Sequence, residues 1–260
     1  MVIDMFFFGK SDIGKKRFEN EDSFIAKQIC ENVWLCAVCD GMGGANGGQV
    51  ASSLAVREFT DSLENALAPD IEESRYKGSE ADIPALLALA VKKANTAVYE
   101  RAKGESGLSG MGTTLTAAFI IGGTLYAVNV GDSRLYLKRG GKLYQVNEDH
   151  DYLNQLLDDV IDGRLTMAKA FGDRQKDSLA ACIGKSDLSM FDYSKNGFAL
   201  QDGDTLLLCS DGVYNALGHD ELAQNIAGNP MADAERIKNL VQAKRVPHQD
   251  NNTLIIVTYN

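Results

Sequence analysis

Acidic residues stand at the ends of apolar runs throughout this sequence. Glu21 and Asp22 open the run 22–29, and Asp40 closes the run 33–39. Asp132 follows 124–130, Asp211 follows 204–209, and Asp250 precedes 253–259. Acids at strand ends can meet on one rim of a sheet sandwich, where they repel one another unless hard cations neutralise them. Oxygen donors alone select Mg²⁺, Mn²⁺ or Ca²⁺ rather than zinc. His150, His219 and His248 have no zinc spacing. Gly41 and Gly212, each directly after an Asp, let backbone approach an ion, and the Gly41 carbonyl is a candidate donor. Taken singly, a strand-end Asp is more often a turn or cap residue: Asp-Gly is a common turn dipeptide, and Gly131-Asp132-Ser133 suits a hairpin. Glu148-Asp149-His150-Asp151 reads as a solvated loop. The order of the acids along the chain carries the metal reading.

The elements that must position these acids are legible from periodicity. Met1-Val-Ile-Asp-Met-Phe-Phe-Phe holds an acid and no basic leader, and reads as a first strand rather than a signal peptide. Strands 22–29 and 33–39 turn at Glu31-Asn32. A glycine cluster (Gly41, Gly43, Gly44, Gly47, Gly48) precedes a helix with Ala51, Leu54, Ala55, Phe59, Leu63 and Ala66 near one face. Segment 69–82 reads as a polar loop, with Asp82 as the cap of a helix that carries Pro84 in its first turn. Four strands, 113–121, 124–130, 134–138 and 142–146, read as a meander. A short helix at 152–160, strands at 165–170, 179–183 and 204–209, a helix at 233–244 and a closing strand at 253–259 complete the pattern. Many neighbouring strands with helices interrupting in pairs give the fold class α+β, antiparallel sheets covered by helices. With no linker in sight, residues 1–260 read as a single domain.

Composition narrows the function classes. The chain has 260 residues, 45% hydrophobic, with a net charge of −10. That charge argues against nucleic acid or an anionic membrane as partner. No apolar run is long enough to span a bilayer. Five cysteines, three of them in apolar runs, suit a reducing, cytoplasmic compartment. Cys36 and Cys39 form a C-x-x-C, but residues three apart on a strand face opposite ways, so they read as core residues.

In order, the chain carries Arg17-Phe-Glu-Asn-Glu-Asp-Ser23, Val38-Cys-Asp-Gly-Met-Gly-Gly44, Gly110-Met-Gly-Thr-Thr114, Asn129-Val-Gly-Asp-Ser-Arg134, Ala168-Lys-Ala-Phe-Gly-Asp173, Cys209-Ser-Asp-Gly212 and Asp250-Asn-Asn-Thr253. This set resembles the type 2C, metal-dependent serine/threonine protein phosphatases, in their bacterial branch. The resemblance implies a four-layer α-β-β-α sandwich with a centre of two Mn²⁺ or Mg²⁺ ions at one end. It makes Asp40, Asp211 and Asp250 metal ligands, Gly41 a carbonyl ligand, and Glu21 and Asp22 ligands through one oxygen or through waters. Asp132 matches the acid of a third, weaker metal, and Arg17 the arginine that grips the substrate phosphate. The implied reaction is in-line attack on phosphoserine or phosphothreonine by a metal-bridging hydroxide, with Asp40 and Asp211 central to it. The implied partners are phosphorylated proteins, through a cognate kinase or its substrates, and the implied state is a monomer. Asn20 and Asn251 are expected to orient ligands; Thr113 and Thr114 are assigned no chemistry.

Three departures stand out. Met42 occupies the place of a proton-donating histidine in animal members, and a thioether cannot donate; the role falls to a metal-bound water or another group, with His150 and His248 candidates by proximity to the motifs. Asn215 replaces an Asp that helps hold the third metal, which predicts weak binding there. The segment 150–165 is shorter than the family's usual flap, which predicts an open site. Two other classes compete with an enzyme: a phosphoprotein-binding module without turnover, and a structural calcium domain, though the acids lack the alternating spacing of a calcium loop.

Overall fold

The computed structural model describes residues 4–15, 17–43, 47–73, 76, 78–176, 178–244 and 249–260. Gly44 and His248 lie outside the described residues. The strands are β1 (Met5–Asp12), β2 (Asp22–Cys30), β3 (Val33–Met42), β4 (Gly112–Thr113), β5 (Leu115–Ile121), β6 (Thr124–Val130), β7 (Arg134–Arg139), β8 (Lys142–Gln145), β9 (Asp192–Tyr193), β10 (Phe198–Ala199), β11 (Thr205–Cys209) and β12 (Asn252–Tyr259). The helices are α1 (Gly47–Ala66), α2 (Ala68–Glu72), α3 (Ile83–Gly104), α4 (Tyr152–Ile161), α5 (Met167–Gly172), α6 (Asp211–Tyr214), α7 (His219–Asn225) and α8 (Pro230–Ala243).

Two antiparallel sheets face each other. One runs β1-β12-β11-β7-β8; the other runs β10-β6-β5-β3-β2, with β4 on β3 and β9 on β6. Period-two alternation builds three apolar layers from these strands. Trp34, Cys36 and Val38 of β3 face Leu135, Leu206, Leu208, Ile255 and Val257 between the sheets. Val33, Leu35, Ala37 and Cys39 point the other way, onto Phe59 and Leu63 of α1 and Leu87, Val91 and Val98 of α3. On the far side, Leu207, Cys209, Leu254 and Ile256 pack on Leu222, Ile237 and Val241 of α7 and α8. The result is the expected α-β-β-α sandwich. Cys36 and Cys39 do lie on opposite faces; burial pushes the Cys36 thiol up to about 12 and Cys39 higher still, so neither is a poised thiolate.

Four expectations fail. The meander is split: β5 and β6 pair in one sheet, β7 and β8 in the other, so 131–133 crosses between sheets instead of closing a hairpin. Segment 165–170 falls largely in helix α5, since a short apolar run fits either period. Segment 179–183 makes isolated bridges, Asp151 with Leu179 and Thr113 with Ile183. The 69–82 segment holds α2 and a 3₁₀ turn capped by the Ser79 side chain, while Asp82 makes no side-chain cap.

Candidate metal centre

The face of β3 that lines the inter-sheet core, Trp34-Cys36-Val38, continues by alternation to Asp40. Antiparallel register sets Asp22 of β2 opposite Asp40. On β11 the same inward row, Leu206 and Leu208, continues to Ser210. Ser210 Oγ donates to Asp22 Oδ2 at 2.7 Å and accepts from the Thr253 N–H at 3.0 Å, so it ties the two sheets together at this end. Asp211 opens α6 directly after it. The sheet-to-sheet crossing carries Asp132 to the same rim. It is held by Asn129, whose Nδ2 donates to the Gly131 and Glu148 carbonyls at 3.0 and 2.9 Å.

Backbone groups around Asp40 are fixed from three sides. Its N–H donates to Thr114 Oγ1 at 2.8 Å, and its carbonyl accepts from the Thr114 N–H at 2.9 Å and Thr113 Oγ1 at 2.8 Å. Thr113 and Thr114, given no chemistry above, therefore position the acid. Glycines act here by admitting backbone to backbone. A Cβ on Gly41 would lie 2.1 Å from the Gly48 carbonyl oxygen, and one on Gly212 would lie 1.9 Å from that of Asn251. Gly48 in turn leaves room for Glu21 Oε1, 2.3 Å from where its Cβ would be. Asn251 Oδ1 accepts from the Glu21 N–H at 2.8 Å and its Nδ2 donates to the Ile13 carbonyl at 2.7 Å. Asn20 Oδ1 accepts from the Asp22 N–H at 3.2 Å. Both asparagines thus orient the acid-bearing backbone, as expected.

The electrostatics are those of crowded carboxylates. Burial, then Asp211 and Asp250, pushes Asp22 up to about 7. Burial and Asp22 raise Asp40 well above the carboxylate range. Burial and Asp211 push Asp132 up to about 7, and burial with Asp250 raises Asp211. Asp22 Oδ1 is buried with no hydrogen-bond partner. Arg17 answers part of this charge: Nε and Nη2 donate to Asp250 at 2.7 and 3.1 Å, and Nη1 donates to Glu21 at 2.7 Å. The hydrogen bond to Asp250 is the main cause that raises the guanidinium above its usual value.

As the side chains stand, no three His, Cys, Asp or Glu among the described residues close tightly enough to cage an ion. Arg17 occupies two of the acids, and repulsion opposes closer approach of the others. The donors still fit a hard divalent cation. They are all oxygen, one buried oxygen has no partner, and added positive charge would relieve the very interactions that raise these acids.

His150 is already engaged: Nδ1 accepts from the Gly131 N–H at 3.3 Å, which leaves Nε2 to donate to Asp192 at 3.0 Å. The 148–151 loop is not solvated as expected. Asp149 and His150 are buried. Arg134 donates to Asp149 Oδ2 through Nη2 at 2.6 Å, and its guanidinium lies 3.7 Å from the centre of the Tyr214 ring. Asn215 Nδ2 donates to Asp211 Oδ2 at 3.2 Å. Sequence reasoning missed Ser210, Arg134, Asp149 and Ser133, whose Oγ lies 2.8 Å from Thr114 Oγ1. The Ser and Arg lie inside quoted motifs, so adjacency to an acid was the available signal.

The protein phosphatase 2C family model matches residues 9–245. The chain belongs to this family. Its sequence is 31% identical over 251 residues to the serine/threonine phosphatase stp of Listeria welshimeri, covering 96% of this chain and 94% of that one. Its fold superposes on the S. agalactiae serine/threonine phosphatase with a TM-score of 0.80 at 27% identity, covering 98% and 99% of the two chains. The catalytic domain of the phosphatase PstP, solved in complex with two manganese ions, gives a TM-score of 0.77 at 29% identity over 99% of both chains. No described helix of this type 2C chain is long and apolar enough to cross a membrane.

Proposed function

We propose that this type 2C chain hydrolyses phosphoserine and phosphothreonine in proteins, using two Mn²⁺ or Mg²⁺ ions held by Asp40, the Gly41 carbonyl, Asp211 and Asp250, with Glu21 and Asp22 supporting them directly or through waters. The observation that carries the reading is buried Asp22 directly opposite half-buried Asp40, on one rim with Asp211, in a chain that matches the family over nearly its whole length. When bound, the cations supply Lewis acidity toward a phosphoryl group and a water acidified toward neutrality. The chain's own residues set the rest. The threonines hold Asp40 still, Ser210 holds Asp22, and the two asparagines hold the backbone of Glu21 and Asp22. Arg17 offers a planar fork of donors that matches two phosphate oxygens. In the structure that fork is held by Asp250 and Glu21; cations neutralising those acids would leave it available to a phosphate. Asp132 serves a third, weaker site, and Asn215 adds an amide there without charge.

On this reading residues 1–260 are one catalytic domain, acting as a monomer in the cytoplasm on phosphoproteins made by a serine/threonine kinase. Hydrolysis of p-nitrophenyl phosphate and a phosphothreonine peptide, with Mn²⁺, Mg²⁺, Ca²⁺ or EDTA, tests the activity. Turnover that requires Mn²⁺ or Mg²⁺ and collapses in Asp211→Asn is the expected result. A folded protein with no turnover in any metal would instead be a phosphoprotein-binding module.

A further inference from the structure

Arg134 joins the two elements that carry Asp132 and Asp211. It opens β7, two residues after Asp132, where the crossing from one sheet to the other ends. Its guanidinium lies over the Tyr214 ring, 3.7 Å from the ring centre. Tyr214 closes α6, which Asp211 opens, and Asn215 follows directly. Both acids act at this contact. Burial, then Asp132 and Asp211, raises the Tyr214 hydroxyl, and Arg134 offsets part of the rise of Asp132.

The guanidinium is gripped along its edge. Nε donates to Asp149 Oδ1 at 3.1 Å, Nη2 to Asp149 Oδ2 at 2.6 Å, and Nη1 to the Tyr136 hydroxyl at 3.1 Å. Asp149 is itself buried and held: it accepts from Gln145 Nε2 at 2.8 Å, and its carbonyl accepts from Asn154 Nδ2 of α4 at 2.6 Å. A fork fixed along its edge presents a flat face in a fixed place, and the Tyr214 ring packs on that face. A lysine ammonium has the charge but neither the planar edge nor the face. Arg134 thus acts on the acidic rim at one remove, through Tyr214 on α6 and along the chain on Asp132.

Resting on the phosphatase reading above, we propose that Arg134 is a positioning residue for the third, weaker cation: it clamps the crossing against α6 and so fixes the spacing between Asp132 and the turn from Asp211 to Asn215. The first two cations, assigned to Asp40, the Gly41 carbonyl, Asp211 and Asp250, do not use the crossing and depend on the clamp less. A role through charge alone has the opposite sign. Removing a cation beside an acid tightens the binding of another cation there, whereas removing a clamp weakens it.

The test is titration calorimetry of the intact chain with Mn²⁺, with the melting temperature followed in parallel. Wild type should bind two ions tightly and a third weakly. Arg134→Lys keeps the charge and should weaken the third ion about 10- to 100-fold, the range for groups that orient a ligand, with a much smaller change in the first two. Arg134→Gln should move the third ion in the same direction, although it removes a cation. Tyr214→Phe keeps the ring and should keep the wild-type affinity. Tyr214→Leu should reproduce the loss while leaving the Arg134–Asp149 pair in place, so it decides the question if the Arg134 variants do not fold. An unchanged third ion in folded Arg134→Lys or Tyr214→Leu overturns the proposal, whatever happens to the melting temperature. So does a tighter third ion in Arg134→Gln, or a wild type that binds two ions only. A wild type that binds no Mn²⁺ and hydrolyses no p-nitrophenyl phosphate overturns the phosphatase reading itself, and the clamp with it.

Discussion

The middle of the inter-sheet layer and its acidic end are built from the same strands with the same alternation, and they do opposite things. Val38, Leu208 and Ile255 fill the middle; one step of two residues further, the rows reach Asp40, Ser210 and Thr253. Burial stabilises the first set, at roughly 25 cal/mol per Å² of apolar surface. At the acidic end burial is instead the main cause that raises Asp40 and its neighbours Asp22, Asp132 and Asp211. The middle supplies the stability and the end spends it on a cluster whose acids do not tolerate one another. A binding centre can therefore sit at the end of a core without a separate scaffold, provided small hydroxyl residues separate charge from apolar packing.

Substitutions should pull the two regions apart. Asp40→Asn or Asp211→Asn should lower metal-dependent turnover by at least about 100-fold, the upper range for groups that merely support a ligand, while the melting temperature in EDTA rises as repulsion is relieved. A variant that loses both activity and stability would break the contrast. Leu208→Ala, in the middle, should cost about 2–5 kcal/mol by denaturant titration, with metal affinity of the folded fraction preserved. The end should also respond to pH in a definite direction. Asp22 and Asp132 are raised to about 7 in the folded chain, so between pH 4 and 7 the folded state binds protons that the unfolded state has released. Stability in EDTA therefore falls as pH rises through that window, and Mn²⁺ reverses the trend. A melting temperature that climbs from pH 4 to 7 in EDTA would contradict it. Ser210→Ala, at the border, should weaken metal binding about 10- to 100-fold by titration calorimetry, with a small stability change. The smallest effect belongs to Asn215→Asp. It replaces an amide that donates to Asp211 with a charge, and should tighten a third metal site without altering the first two.

The border also marks how far the sequence could be read. Alternation in 33–39 placed Asp40 on a strand end, and the order of the acids with their glycines placed them on one rim. Which sheet each strand joins was not legible. A Gly-Asp-Ser turn closes a hairpin or crosses between sheets with the same residues, and the choice at 131–133 is made by packing of β7 against β11. The run 165–170 was too short to separate the two periods. Ser210, Ser133, Thr113 and Thr114 had no spacing signature, because their hydroxyls work through partners that only the folded register brings close: Asp22 and the Thr253 N–H for Ser210, the Asp40 carbonyl for Thr113, and Ser133 for Thr114. Arg134 and Asp149 were quoted or noted singly; their pairing depends on the loop folding inward.

The pairing of β1 with β12, from Met5 against Tyr259 to Asp12 against Asn252, sets an order of events during synthesis. Asp22 and Asp40 emerge from the ribosome early, on a hairpin that can form at once. Asp211 and Asp250 belong to the sheet that stays open until β12 arrives, and contacts so distant in sequence form slowly. Half of the acid cluster therefore waits for the other half, and a nascent fragment ending before β11 carries the early acids with no competence to act on the proteins around it.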